Sequence, residues 1–150
     1  MDSLQAKKGF TLIELLVVIG IIAILAAVVI VALNPGRQFA QARNTQRNSN
    51  VNAILNAVGQ RISDNRGIWN TTCGAATVAL PAGATNIGSN VGLVNLAACV
   101  VPTYLTSLPT DPTNGAATDT RYTIVQDATT GRITVAAPGA ELSEVISVSR

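Results

Sequence analysis

The sequence has no histidine. Imidazole acid–base chemistry and histidine-ligated metals are therefore excluded. It has only two cysteines, too few for a zinc site built on thiolates alone. Charged residues make up 12% of the chain, where about a quarter is usual. The formal net charge of +2 is too small for a bulk nucleic-acid binder. No lysine follows Lys7 and Lys8, so there is no Ser-x-x-Lys arrangement, and the acids are scattered. An enzyme needs a nucleophile with a base, paired carboxylates or a metal. None is legible here, and the sequence predicts neither catalysis nor a cofactor. A length of 150 residues also rules out a large multidomain enzyme.

One long apolar run is present. From Phe10 to Leu33 only Thr11, Glu14 and Gly20 interrupt it. About 20 residues of apolar helix cross a hydrocarbon core of about 30 Å, so residues 10–33 are predicted to span a membrane. The rest has an ordinary apolar content, enough for one domain of roughly 100 residues. The run is too long for the apolar core of a secretory signal peptide, about 7–15 residues. Asn34-Pro35-Gly36 follows it. Proline removes a backbone donor and clashes with the preceding turn, so Pro35 and Gly36 predict a helix break near Leu33. Lys7 and Lys8 before the run are offset by Asp2, and Arg37, Arg43 and Arg47 follow it. A positive-inside count therefore does not favour a cytoplasmic N-terminus. Glu14 is the more specific feature. A carboxylate in a membrane helix is costly and marks a functional site by default. No cation in the run can pair with it; the α-amino group of another chain could.

The motif Lys7-Lys8-Gly9-Phe10-Thr11-Leu12-Ile13-Glu14-Leu15-Leu16-Val17-Val18 resembles the class III signal of type IV pilins and type II secretion pseudopilins. The resemblance is close over residues 7–33 and looser over 34–66. It is faint in Tyr104-Leu105 and Leu108-Pro109-Thr110-Asp111-Pro112. It implies that Met1–Gly9, with basic Lys7 and Lys8, is a leader. A prepilin peptidase/methyltransferase would cut between Gly9 and Phe10 on the cytoplasmic side and methylate the new amino group of Phe10. Glu14 would pair with the N-terminal amine of a neighbouring subunit during filament assembly. A buried ion pair is best attested as a device for register. The implied partners are other copies of the chain, other pilins, the peptidase, an inner-membrane assembly platform and, before assembly, the membrane itself. The chain would begin as a single-pass protein of the cytoplasmic membrane and end in an extracellular or envelope filament. Many relatives have a proline within the second half of the apolar helix, where this chain has Val31; here Pro35 comes four residues later.

The implied fold is α+β and pilin-like. A long N-terminal helix, membrane-spanning in its first half and amphipathic in its second (34–66), packs on a small antiparallel sheet of three to four strands. The head covers 67–150, with an αβ-loop region over 67–120 and the sheet over 121–150. Val51, Ile54, Leu55, Val58 and Ile62 form a stripe at helical spacing, which Phe39 and Ala42 extend less neatly. The helix is predicted to end over Asp64-Asn65-Arg66-Gly67, with Gly67 or Asn65 left-handed. Arg37, Arg43, Arg47, Arg61 and Arg66 read as a solvated face, or as contacts to acids of neighbouring subunits. Aromatic interleaving for nucleic acid is absent.

Residues 67–110 carry no charge at all. They read as a compact neutral connection or, alternatively, as a region partly covered by subunit packing or by glycans; Asn70-Thr71-Thr72 is a sequon. Cys73 and Cys99 read as a disulfide, which oxidation outside the cytoplasm permits, with two free thiols as the alternative. Strands are predicted at 121–126, 132–137 and 144–149, with a turn at Thr129-Thr130-Gly131. Val91–Leu96 fits a short helix or a strand equally. Asp111, Asn114, Asp119 and Asp127 are weak calcium candidates; their spacing is not that of an EF-hand, and it equally suits turns. Two roles follow from the resemblance: structural subunit of a type IV pilus-like filament, or pseudopilin of a type II secretion or DNA-uptake system. A membrane-tethered binding domain that never polymerises is a third reading; the intact Glu14 favours a polymerising subunit over a tip-initiating minor one.

Overall fold

The computed structural model describes residues 9–150, the side chain of Leu33 apart; Lys7 and Lys8 lie outside the described residues. The fold is α+β, as expected. Helix α1 covers Leu12–Leu33, about 33 Å at 1.5 Å per residue. It is long and apolar enough to cross a membrane over Leu12–Ala32, and none of that span is buried by the protein. Aliphatic residues facing every direction leave it no preferred side, as in a helix meant for an apolar surround.

The break falls where the sequence placed it, just after Leu33, but a different residue makes it. Asn34, at φ 41°, adopts the left-handed conformation and ends α1. Pro35 and Gly36 do not interrupt a helix; they form the first turn of α2, Pro35–Asp64. Proline suits this position because its missing N–H would have had no partner there. Asn34 closes both ends, its carbonyl accepting from the Arg37 and Gln38 N–H groups at 3.0 and 3.3 Å.

The chain divides into two compact units, one ending at Gln38 and the other spanning Phe39–Arg150. In the second unit, Val51, Ile54, Leu55 and Val58 of α2 are buried, with Ile62 packed at the margin of the core. Phe39, expected to extend the stripe, is exposed, and so is Ala42; Ala40, Asn44, Arg47 and Asn50 are buried instead. After Asp64, Arg66 (φ 62°) and Gly67 (φ 84°) are left-handed, not Asn65. The Gly67 N–H closes the helix on the Ile62 carbonyl at 2.9 Å.

A hairpin follows, β1 (Thr72–Cys73) with β2 (Ala76–Thr77), turning through Gly74 at φ 62°. Then come β3 (Thr85–Asn86), α3 (Ala97–Val100), β4 (Thr123–Gln126), β5 (Ile133–Ala137) and β6 (Ile146–Ser149). The last three strands and β3 form an antiparallel sheet in the order β3-β4-β5-β6. Alternation puts Ile124, Ile133, Val135, Ala137 and Ile146 in the core. Arg121, at φ 65°, cannot continue an extended strand, which is why β4 starts later than predicted. Val91–Leu96 is neither helix nor strand. It begins within a turn, and a single bridge joins Ile87 to Val94.

Candidate functional site

Two places carry the chemistry the sequence pointed to. The first is the start of α1. Thr11 is its N-cap, and Glu14 reaches back to it. The Glu14 Oε2 accepts from the Thr11 N–H and from the Thr11 hydroxyl, both at 2.8 Å. The Thr11 Oγ1 accepts from the Glu14 N–H at 3.3 Å. This reciprocal capping satisfies donors that α1 leaves unpaired at its first turn, and it holds the carboxylate near Phe10. Oε2 takes both bonds; among the described residues Oε1 accepts none. A carboxylate has room for about four donors. Phe10, Ile13, Glu14, Val17 and Val18 line an open groove of about 380 Å³. Gly9 and Phe10 are exposed and precede the helix.

The second place is a charge cluster in the head that the apolar pattern did not reveal. Arg47 and Asp111 are both buried, with side chains 1% exposed, and their ion pair is 2.7 Å long. The guanidinium donates to Asp111 Oδ2 at 2.7 Å and Oδ1 at 3.2 Å. It also reaches Asn44 Oδ1 (3.0 Å), Glu141 Oε2 (2.8 Å) and the Thr113 hydroxyl (2.8 Å). Arg43 forks onto Glu141 through two bonds of 2.6 Å. Asn44 accepts from the Glu141 N–H at 2.9 Å and donates to its carbonyl at 2.8 Å. One helix face thus clamps two loops, around Asp111–Thr113 and Glu141–Glu144. Arg43 and Arg47 are therefore not a solvated face, and the acids they meet are their own chain's.

This arrangement has an acid signature. The hydrogen bonds from Arg43, then those from Arg47, hold the Glu141 carboxyl at a pKa of about 2 against an ordinary 4.5. At Asp111 burial pushes the pKa up, but the Arg47 guanidinium and the Thr113 and Asn114 N–H groups outweigh it, and the net shift is downward. Groups with a depressed folded pKa stabilise fully above their unfolded pKa and lose that contribution as pH falls through the folded one. Head stability should therefore hold from pH 7 to about 5 and fall between about pH 4.5 and 2. Urea unfolding at a series of pH values checks this, and Glu141→Gln should flatten part of the slope.

The calcium candidates are not brought together. Asp111 is taken by Arg47. Asp119 accepts from the Asn86 side chain at 3.1 Å and the Arg121 N–H at 3.0 Å. Asp127 caps the β4–β5 turn, accepting from the Thr129 and Thr130 N–H groups at 2.9 and 2.7 Å. Asn114 is exposed in a turn. Among the described residues no three His, Cys, Asp or Glu could share a metal.

Cys73 and Cys99 form a disulfide across 26 residues, joining the first hairpin to α3. Arg61 fastens the same junction. Its guanidinium donates to the carbonyls of Cys99 (3.1 Å), Asn70 (3.0 Å) and Thr72 (2.8 Å), and it lies 5.3 Å over the Trp69 ring. It too was expected on a solvated face. The Asn70 side chain is engaged with Asn65 Oδ1 at 3.1 Å and the Thr72 N–H at 2.9 Å, so a glycan there would displace the first bond. Closing a loop of this length stabilises by about 3.5 kcal/mol in the chain-entropy model. Cys73→Ser with Cys99→Ser should lower the unfolding free energy of the solubilised chain by about that amount, read from its urea midpoint.

Residues 4–30 match the family model described as the prokaryotic N-terminal methylation motif. The N-terminal segment thus carries the class III prepilin signal, and the match supports a type IV pilin-like prepilin, structural in kind. No curated protein and no solved structure matches the chain.

Proposed function

We propose that this protein is a structural subunit of a type IV pilus-like filament. It is made as a membrane-anchored prepilin, cut after Gly9, methylated at Phe10 and polymerised through α1. The carrying observation is an apolar helix exposed along its whole length, headed by Gly9-Phe10 and by a carboxylate one turn in. Such a helix is stable in lipid. Once extracted, it must bury its surface elsewhere, and the same helix of neighbouring subunits offers an apolar surface of equal length. The partners are then other copies, a prepilin peptidase/methyltransferase and an inner-membrane assembly platform. The location is the cytoplasmic membrane first and a surface filament afterwards.

Mass spectrometry of protein sheared from cells tests this. The expected chain begins at N-methylated Phe10 and is two hydrogens light from the disulfide. Processed chain found only in membranes would replace the filament with a short secretion or uptake pseudopilus. Chain still carrying Met1–Gly9 in cells with active peptidase would leave a tethered domain.

A further inference from the structure

A helical polymer of identical subunits needs two different surfaces that fit each other, because the same patch meeting itself closes a dimer. The head presents such a pair. One member is a cavity of about 710 Å³. Its walls include Leu55 and Ile62 of α2, Trp69, Leu80 and Ile133, and Ile68 lies at its edge, largely exposed. Gly59, Gly67 and Gly131 also line it, and each leaves open space where a side chain would stand. The other member is the turn over residues 88–93, with Val91 fully exposed at its apex between Asn90 and Gly92. Turn tips are normally polar; Val91 and, just before β6, Val145 are the valines of the head left almost wholly bare.

The turn is held stiffly. The Gly88 N–H donates to the Val94 carbonyl at 3.0 Å, the Leu93 N–H to Asn90 at 3.1 Å, and the Asn90 N–H to Thr118 at 3.1 Å. Gly88 lies so close to the Thr118 backbone that any side chain would collide with it. Val91 is thus presented without ordering cost at the moment of contact.

The two surfaces lie at opposite ends of β4. The turn is tied to the residues before that strand, through Thr118 and through the Ile87 N–H bond to the Tyr122 carbonyl at 2.8 Å. The cavity is lined by the residues that end it and turn after it, Gln126, Thr130 and Gly131. Both the turn and the 67–80 side of the cavity fall in the uncharged run 67–110; the charged residue in the cavity lining is Arg150, whose guanidinium is already engaged by Asn56 Oδ1 at 2.6 Å.

We propose that Val91 of one subunit enters the cavity of the next, a head-to-tail contact between heads that propagates along the filament. The proposal rests on the filament reading and adds the partner and register of the head surface.

The test is a pair of cysteines in the full chain, Val91→Cys and Ile68→Cys. With both in one chain, mild oxidation of sheared filaments should give a ladder of disulfide-linked multimers. The two single variants, co-expressed, should give dimers only. Separately, Val91→Asp should cut sheared filament about tenfold or more, the scale of losing one buried valine per contact. It should leave the membrane-fraction monomer folded and its native disulfide formed. Double-variant filaments without a ladder, or full filament yield from Val91→Asp, would overturn the contact while the filament reading stands. Wild-type cells that shed no filament would overturn both.

Discussion

Replacing Arg47 with alanine is expected to lower the stability of the head by about 3 kcal/mol at pH 7. The loss comes less from the missing attraction than from what is left behind. Asp111 is shut from water, and without the guanidinium it keeps only N–H donors of its own loop. A buried charge deprived of its partner typically costs about 3–5 kcal/mol. The lower end applies here, because Asp111 keeps the N–H bond from Thr113 when the guanidinium is gone. Arg47→Lys should recover only part. One ammonium cannot serve Asp111, Glu141, Asn44 and Thr113 with the fork geometry seen here. Arg43→Ala, whose pair with Glu141 is about a third exposed, should cost much less. The pH dependence separates this account from simple loss of packing. In the alanine variant burial acts on Asp111 without its main counter-charge, so its folded pKa rises above the unfolded one. Stability from that group is then lost as pH rises, and the deficit against wild type should shrink on going from pH 7 to about 4. Urea unfolding of wild type and variant at both pH values decides it. A deficit that stays constant with pH would remove the ion pair as its cause.

The same cluster explains which part of the fold was legible beforehand. Val51, Ile54, Leu55 and Val58 declare a buried helix face because apolar residues repeat at helical spacing. The face continues toward the N-terminus at the same spacing through Asn50, Arg47 and Asn44, all polar, to Ala40. Hydrophobic periodicity cannot register a face buried by ion pairs. Its partners, Asp111 and Glu141, lie 64 and 94 residues further on, and nothing local marks them. Asp111-Pro112 reads as a turn, and it is one; what escapes is that its carboxylate faces inward. One signal was available: Arg47 and Asn44 sit on the line of the stripe, and extending that line would have placed them inside. Strands β4, β5 and β6 were legible from alternation and from the Thr129-Thr130-Gly131 turn. The two-residue strands β1, β2 and β3 were not, because two residues show no period. The N-terminal segment was the most legible part: a long apolar run and a single carboxylate are local features, and the Gly9-Phe10 junction was read from the resemblance of the motif around it to a prepilin signal.

Glu14→Leu is expected to abolish sheared filament, at least about a hundredfold, while the chain is still cut after Gly9 and accumulates in the membrane. The magnitude follows from removing one partner of a charge pair in an apolar surround at every added subunit. The change also makes the helix easier to keep in lipid, so extraction becomes harder as docking becomes weaker. A purely structural role for Glu14 is the competing explanation, since its carboxylate caps α1 through Thr11. Thr11→Ala separates the two. It removes the hydroxyl that accepts from the Glu14 N–H and donates to the Glu14 carboxylate, yet leaves the bond from the residue's own N–H, the carboxylate and its free oxygen in place. If capping is what matters, Thr11→Ala and Glu14→Leu should lose filament alike. If Glu14 receives the N-terminal amine of a neighbour, Thr11→Ala should retain most of it. Glu14→Gln should then fail nearly as badly as leucine, because an amide keeps the shape but not the charge. Glu14→Asp should assemble partially, its carboxylate drawn back by one methylene. Filament yield by shearing and leader cleavage by mass spectrometry give both readouts from one culture. Wild-type filament yield from Glu14→Leu would show that the carboxylate does not set register, and assembly would then rest on the apolar surface of α1 and on contacts between heads.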